Sequence, residues 1–340
     1  MSKARELASL GNAYSDGALS NRNLIINGAM QVAQRGTSTT VGEYFLDRWK
    51  TVSPAPFPAT QEAVTGLAGF SKCLRIQRPV GMAWNTAVEL NQPVESINSV
   101  PVVGKTVTLS FWARVGSDYG GGVDAFTSSI SYHNLTGTDM GMELNDFLAT
   151  SYSTTVSQAN TPSTDWTYYT MTADIASDAY QVGVTIATES WTGTAGANDY
   201  FEVTGVQLEV GDTATPFEHR SYGQELALCQ RYYRHYQSDS STYMPFFQGG
   251  TVNSTLFRAT FPLSPSMRTQ PSLLTTGVAS NYQISGTTNA NCTSVPYLDA
   301  QSEPDVLDIA APHGAVTGGQ AFFLRAASST TAFIGLDAEL

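Results

Sequence analysis

Charge is scarce in this sequence. Asp, Glu, Lys and Arg make up 14% of its 340 residues, against roughly a quarter in ordinary soluble domains. The basic residues number 17 and the net charge is −12. Affinity for nucleic acid rests largely on neutralised phosphates, so this balance excludes a nucleic-acid partner, and an anionic membrane surface with it. Cysteine is equally sparse. Cys73, Cys229 and Cys292 are odd in number and far apart, with no C-x-x-C and no His at ligand spacing, which excludes a disulfide framework and a zinc site. They read as reduced, buried small hydrophobes. No run reaches the ~20 apolar residues of a membrane span, and the opening MSKARELASLGNAYSDG lacks the apolar centre of a secretory signal. Synthesis in the cytoplasm without membrane insertion is the expectation. G-x-S-x-G, P-loop and Rossmann fingerprints, heptads and longer repeats are also missing. His133, His219, His235 and His313 form no tight cluster and read as polar surface or loop packing. No catalytic residue, metal site or cofactor is expected, so the protein is read as a non-enzyme.

Ser, Thr, Gly, Asn and Tyr fill the space that charge leaves, a mixture suited to β-rich proteins exposed on particles or outside cells. An apolar fraction of 41% suffices for real cores, and the length suggests about two domains. Cytoplasmic synthesis and an exterior composition are reconciled if the protein leaves the cell as part of a particle, such as a virion.

From residue 23 the dominant signal has period two. In KTVTLSFWARV, Val107, Leu109, Phe111, Ala113 and Val115 share one face, leaving Trp112 and Arg114 on the other. NLIINGAM, CLRIQ, TAVELNQPV, SSISYHN, WTYYTMTADI, YQVGVTIAT and YFEVTGVQLEV are further strand candidates. In the last, Phe201 and Val203 share a face before Val206, Leu208 and Val210 take over in opposite phase, implying a bulge near Gly205. Eight or nine such strands with no helix-length segment between them point to an antiparallel sandwich. Residues 221–238 then predict a linking helix, with Ser221 as N-cap and Leu226, Cys229, Tyr233 and Tyr236 on one stripe, fraying or turning into strand at its tyrosine-rich end. TLFRATFPL, SLLTTG, YQISG, AFFLRAA and TAFIGLDAEL return to β character. The expected organisation is a short N-terminal attachment segment (1–22), a sandwich domain (23–220), the helix (221–238) and a smaller C-terminal β-sandwich domain (239–340).

Two long stretches carry a resemblance. RNLIINGAMQVAQRG, followed by an aromatic and DRW, opens a module that resembles one found in tailed-bacteriophage fibre and appendage proteins, and VQLEVGDTATPFEHRSYGQELALCQRYY resembles its end. The bracketed region is also similar to carbohydrate-binding-module jelly rolls, through the opening strand and VGKTVTLSFWARV. The resemblance implies a jelly roll and a virion appendage, a tail fibre or receptor-binding protein located on the phage particle. It also implies a homotrimer, partners among other virion tail or head proteins through the N-terminal segment, and a host surface glycan or protein as the target. Such modules often hold calcium through an acid just after the first-strand NG and an Asp in the last strand. Here Ala29 and Thr204-Gly205 stand at those positions.

Within this frame Leu24 to Ile26 form the first strand, and Asp47 and Arg48 are neighbours in a strand with side chains on opposite faces. Trp49 reads as core. Trp112, with Arg114 beside it, points either into a ligand groove or at a neighbouring subunit. Trp84 and Trp191 lie in loop-like contexts and are candidate receptor contacts. Leu226, Tyr233 and Tyr236 form a stripe suited to a threefold contact. Asp139, Glu143 and Asp146 supply the carboxylates that a glycosidase would need. The alternatives to adhesion are therefore a purely structural head fibre, collar or tail connector, and a capsule-degrading depolymerase.

Overall fold

The computed structural model describes residues 22–40, 42, 44–83, 85–121, 126–137, 139–141, 153–237 and 242–340. Residues 1–21 of the expected attachment segment, Trp84, Glu143 and Asp146 lie outside the described residues. The chain divides into two compact units, 1–225 with Leu340, and 226–339.

The first unit contains β1 (Ser38–Thr40), β2 (Lys50–Val52), β3 (Pro58–Ala63), β4 (Lys72–Gln77), β5 (Glu89–Pro93), β6 (Thr106–Val115), β7 (Phe126–His133), β8 (Ser153–Asn160), β9 (Thr167–Asp174), β10 (Gln181–Thr188) and β11 (Tyr200–Val210). They pair antiparallel in two sheets, β1-β3-β4-β11-β6-β9 and β2-β5-β10-β7-β8, the antiparallel sandwich that period-two patterning implied and the resemblance made a jelly roll. The apolar face of β6 is buried from Val107 to Val115 and packs with Phe201, Val203, Val206 and Leu208 of β11 and with Ile130, Val184 and Ile186 of the other sheet. Trp49 is fully buried in the same core. The β11–β6 register slips between Thr204 and Gln207, and Gly205 has φ 64°, so one extra residue is absorbed where the apolar phase changes.

Two local expectations change. Residues 22–30 form no strand. Leu24 N donates to Leu208 O and Val206 N to Gly28 O, both at 2.9 Å, but between them the Asn23 side chain replaces the ladder: its Oδ1 accepts from the Ile25 and Leu208 amides, and its Nδ2 donates to Val206 O. Asp47 and Arg48 sit in a turn, not a strand, with Arg48 at φ 70°. The Asp47 carboxylate accepts from both the backbone and side-chain nitrogens of Gln34, and Arg48 Nη2 donates to Pro93 O at 2.6 Å. Both therefore fasten neighbouring segments.

The helix α1 (Tyr222–Gln230) opens with a reciprocal cap. Ser221 N donates to Gln224 Oε1 at 3.0 Å, and Gln224 N points back to Ser221 Oγ at 3.4 Å. It is shorter than the 221–238 expected, because Tyr233–Gln237 is strand β12, paired along its length with Phe333–Asp337. The aromatic-rich YRHY run favours a pleated, half-buried surface over a helix end.

The second unit consists of β12, β13 (Pro245–Asn253), β14 (Leu256–Pro262), β15 (Ser272–Thr275), β16 (Tyr282–Ser285), β17 (Asn289–Asn291), β18 (Tyr297–Leu298), β19 (Val306–Pro312), β20 (Ala321–Ala326) and β21 (Phe333–Asp337). A three-stranded sheet, β12-β21-β15, and a seven-stranded sheet, β17-β16-β20-β13-β14-β19-β18, enclose Phe247, Phe257, Ile284, Leu324, Ile334 and Leu336. Of the expected stripe, Tyr236 packs on this interior. Tyr233 is buried and its hydroxyl lies 2.8 Å from His235 Nδ1, while Tyr236 meets Phe247 edge-on at 5.4 Å. Three apart on a strand, the two tyrosines face opposite sides of β12 and form no common stripe with the half-buried Leu226.

Candidate functional site: an aromatic groove on the first unit

On β6, Phe111 and Ala113 point into the core, so alternation turns Trp112 outward. Register sets Trp112 opposite Tyr168 of β9, and the two rings lie 5.1 Å apart, tilted by 43°. Phe70, from the turn between β3 and β4, faces Phe217 at 5.2 Å and 62°. His219 packs against both, 5.2 Å from Phe70 and 4.9 Å from Phe217. These five rings, with Thr215 and Pro216, line an open groove of about 490 Å³.

The bulge makes this convergence possible. A Cβ on Gly205 would stand 2.7 Å from the Phe70 ring and 3.1 Å from Trp112 Cδ1. Beyond the bulge, the outward residues Gln207 and Glu209 hold the opposite wall. Glu209, almost fully buried, accepts from Thr215 N at 2.8 Å, Thr215 Oγ1 at 2.6 Å and Gln207 Nε2 at 2.9 Å. Gln207 Oε1 accepts from Glu218 N at 2.8 Å. The wall that carries Phe217 and His219 is thus fixed by buried acceptors on a strand. Such an assembly offers aromatic faces for the apolar faces of a ligand, while the exposed His219 and Tyr168 bring polar atoms to the rim.

Arg114 is one outward position further along β6, but it does not line the groove. Its Nε donates to Glu202 Oε2 at 2.5 Å, and its guanidinium carbon lies 4.8 Å from the Trp166 ring centre. Glu202 has a fully buried side chain and also receives Arg75 through Oε1. Trp191 is not a surface contact. It is 0% exposed, edge-on to Phe57 and Tyr119 at 5.2 Å each and 5.5 Å from the Arg78 guanidinium. Arg78 pairs with Asp199 at 2.6 Å and donates to the carbonyls of Thr192 and Gly193. That clamp folds a polar, glycine-rich stretch over the tryptophan, which sequence context alone represented as a loop.

Asp139 accepts from Ser96 N at 3.0 Å. Ala29 and Thr204-Gly205 stand where the resemblance would place calcium-binding acids. Among the described residues, no group of three His, Cys, Asp or Glu could hold a metal ion. Phe70, Tyr168 and Phe217 were not singled out in the sequence, and His219 was read only as polar surface or loop packing. Tyr168 had a usable signal, as one of the outward residues of WTYYTMTADI; the others come from turns distant in sequence.

No known protein family matches the sequence, and no curated protein does. Solved structures with partial likeness include an enzymatically active domain of tailspike protein 4 from bacteriophage CBA120, at 13% identity and TM-score 0.36, covering 56% of this chain and 21% of that one. A CBM61 module in complex with β-1,4-galactotriose matches at 12% identity and TM-score 0.34, covering 56% of this chain and all of that one. The C-terminal family 22 carbohydrate-binding module of Clostridium thermocellum Xyn10B matches at 17% identity and TM-score 0.30, covering 54% and 98%. The chain spans about a fifth of the tailspike chain's length. With every TM-score below 0.5, none of these likenesses decides what the groove binds.

Proposed function

We propose that the protein is a bacteriophage virion appendage, a tail fibre or receptor-binding protein, whose first unit attaches the particle to a host-surface glycan. The observation that carries this reading is the open groove built from Trp112, Tyr168, Phe70, Phe217 and His219. Outward aromatic rings stack on the apolar faces of sugars, and here they are held in position by strand register and by Glu209 before any ligand arrives. The sequence resemblance to fibre modules supports the virion setting. Attachment works by binding, without catalysis, through weak sites multiplied by copy number. The protein forms a homotrimer and joins other virion proteins through its N-terminal segment.

The test is binding of full-length protein and of Trp112→Ala to host-type cells, with light scattering reporting mass. Binding lost at unchanged mass supports a glycan groove. Binding retained while the oligomer dissociates reassigns Trp112 to a subunit contact and favours a purely structural appendage. Release of reducing sugar from host polysaccharide by the wild-type protein would instead mark a depolymerase.

A further inference from the structure

The geometry points to a site longer than the groove: it continues along β6 and β9 to Arg114 and Trp166, and its ligand is an extended glycan chain lying along these strands. This rests on the groove being a glycan site. Ala113 pairs with Thr167, so the next outward rung beyond Trp112 and Tyr168 is Arg114 with Trp166. Rungs two residues apart on an antiparallel strand are separated by about 6.8 Å. One sugar ring covers one rung, and the second rung meets the next sugar of the chain.

The second rung is built as firmly as the first. Trp166 Nε1 donates to Thr65 O at 3.0 Å, and Arg114 Nη1 reaches the same carbonyl at 3.4 Å. Thr65 lies in the turn between β3 and β4 that also presents Phe70, so one turn flanks both rungs. Below, Glu202 ties Arg114 to Arg75, whose guanidinium covers the Tyr200 ring at 4.3 Å. Trp166 is half-buried and is not among the residues packed on the core. Core packing therefore does not account for a tryptophan fixed in orientation on an outer sheet face. Because its ring is already immobilised, a sugar stacking there sacrifices little further side-chain freedom.

The test uses the full chain and neutral gluco-, galacto-, manno- and xylo-oligosaccharides of one to four units, screened immobilised and then titrated in solution. In the wild type, affinity should rise about tenfold from one unit to two or three. Trp166→Ala should abolish that rise and leave single-unit affinity nearly unchanged, Trp166→Tyr should restore part of it, and Trp112→Ala should weaken every length. Melting curves check folding, and Trp166→Tyr carries the test if Trp166→Ala is unstable. Length-independent affinity in the wild type, or equal weakening of all lengths by Trp166→Ala while Trp112→Ala behaves as stated, overturns the extension alone. An unaffected Trp112→Ala protein, or no binding of any series, overturns the groove reading and the extension with it.

Discussion

Gly205→Ala tests whether the bulge supports the groove. Gly205 and Gly193 have nearly the same backbone, φ 64° and 65°, but a Cβ on Gly193 would meet nothing within 4 Å, whereas one on Gly205 would press on Phe70 and Trp112. Left-handed backbone costs an alanine about 1–2 kcal/mol, offset by about 0.4–1 kcal/mol from a less free unfolded chain. Gly193→Ala should therefore lose at most about 1.6 kcal/mol. Gly205→Ala adds overpacking of about 1–3 kcal/mol, for a total of about 1–4.6 kcal/mol. At roughly 2–4 °C per kcal/mol for a unit of this size, the first-unit transition should fall by about 2–18 °C, against at most about 6 °C for Gly193→Ala. Displacing one aromatic contact should also weaken binding at the groove by roughly 3- to 10-fold, an effect that Gly193→Ala should not share. Differential scanning calorimetry and glycan titration on the two variants read both quantities. Equal melting and equal binding in the two would refute the idea that this glycine exists to let the rings converge.

Glu202→Gln leaves Arg75 and Arg114 facing a neutral amide. Removing one partner of a buried pair costs about 3–5 kcal/mol, reduced to about 2–3 kcal/mol because these arginine side chains keep 25% and 18% exposure; a urea midpoint unchanged from wild type would contradict it. Glu209→Ala removes the acceptor of Thr215 N, so amide exchange at Thr215 should accelerate at least tenfold while exchange in the β10 core stays slow. Burial pushes the Cys292 thiol up to about 12, and burial followed by the Glu202 charge raises that of Cys73. Thiol reagents should therefore label both only on unfolding. Because these folded-state values lie above the unfolded one, the contribution to stability is complete below about pH 8.5 and declines as pH rises towards 12, which denaturant midpoints at pH 8 and pH 10.5 can read.

The strands with one clean apolar face were legible in the sequence. β6, β10 and β11 announce themselves by alternation, and the phase change at Gly205 disclosed the bulge. β8 was hidden because STTVSQAN is an edge strand with a single large apolar residue, and β12 because tyrosine at spacings of three and four mimics a helical stripe. The groove was half legible. Alternation turned Trp112 outward, but it said nothing of Phe70 and Phe217, which are 147 positions apart and meet only because the bulge and Glu209 bring two turns together. Trp191 failed for the opposite reason: its polar neighbours stay exposed while the Arg78–Asp199 pair holds their stretch over the buried ring, a tertiary event with no local pattern.

The two stretches that carry the fibre-module resemblance hydrogen-bond to each other. Asn23 N donates to Glu218 Oε2 at 2.8 Å, Arg22 Nη2 to Pro216 O at 2.5 Å and Asn27 N to Glu225 Oε1 at 2.5 Å, while Arg220 reaches the carbonyls of Asn23 and Ile25. The points where the chain joins and leaves the jelly roll thus sit side by side, closed by their own bonds. A fold with adjoining ends behaves as a cassette: it can be spliced into a foreign chain without stretching the host's backbone. Recombination that exchanges everything between the two stretches would keep the clasp and renew, in one genetic step, every surface the sandwich displays.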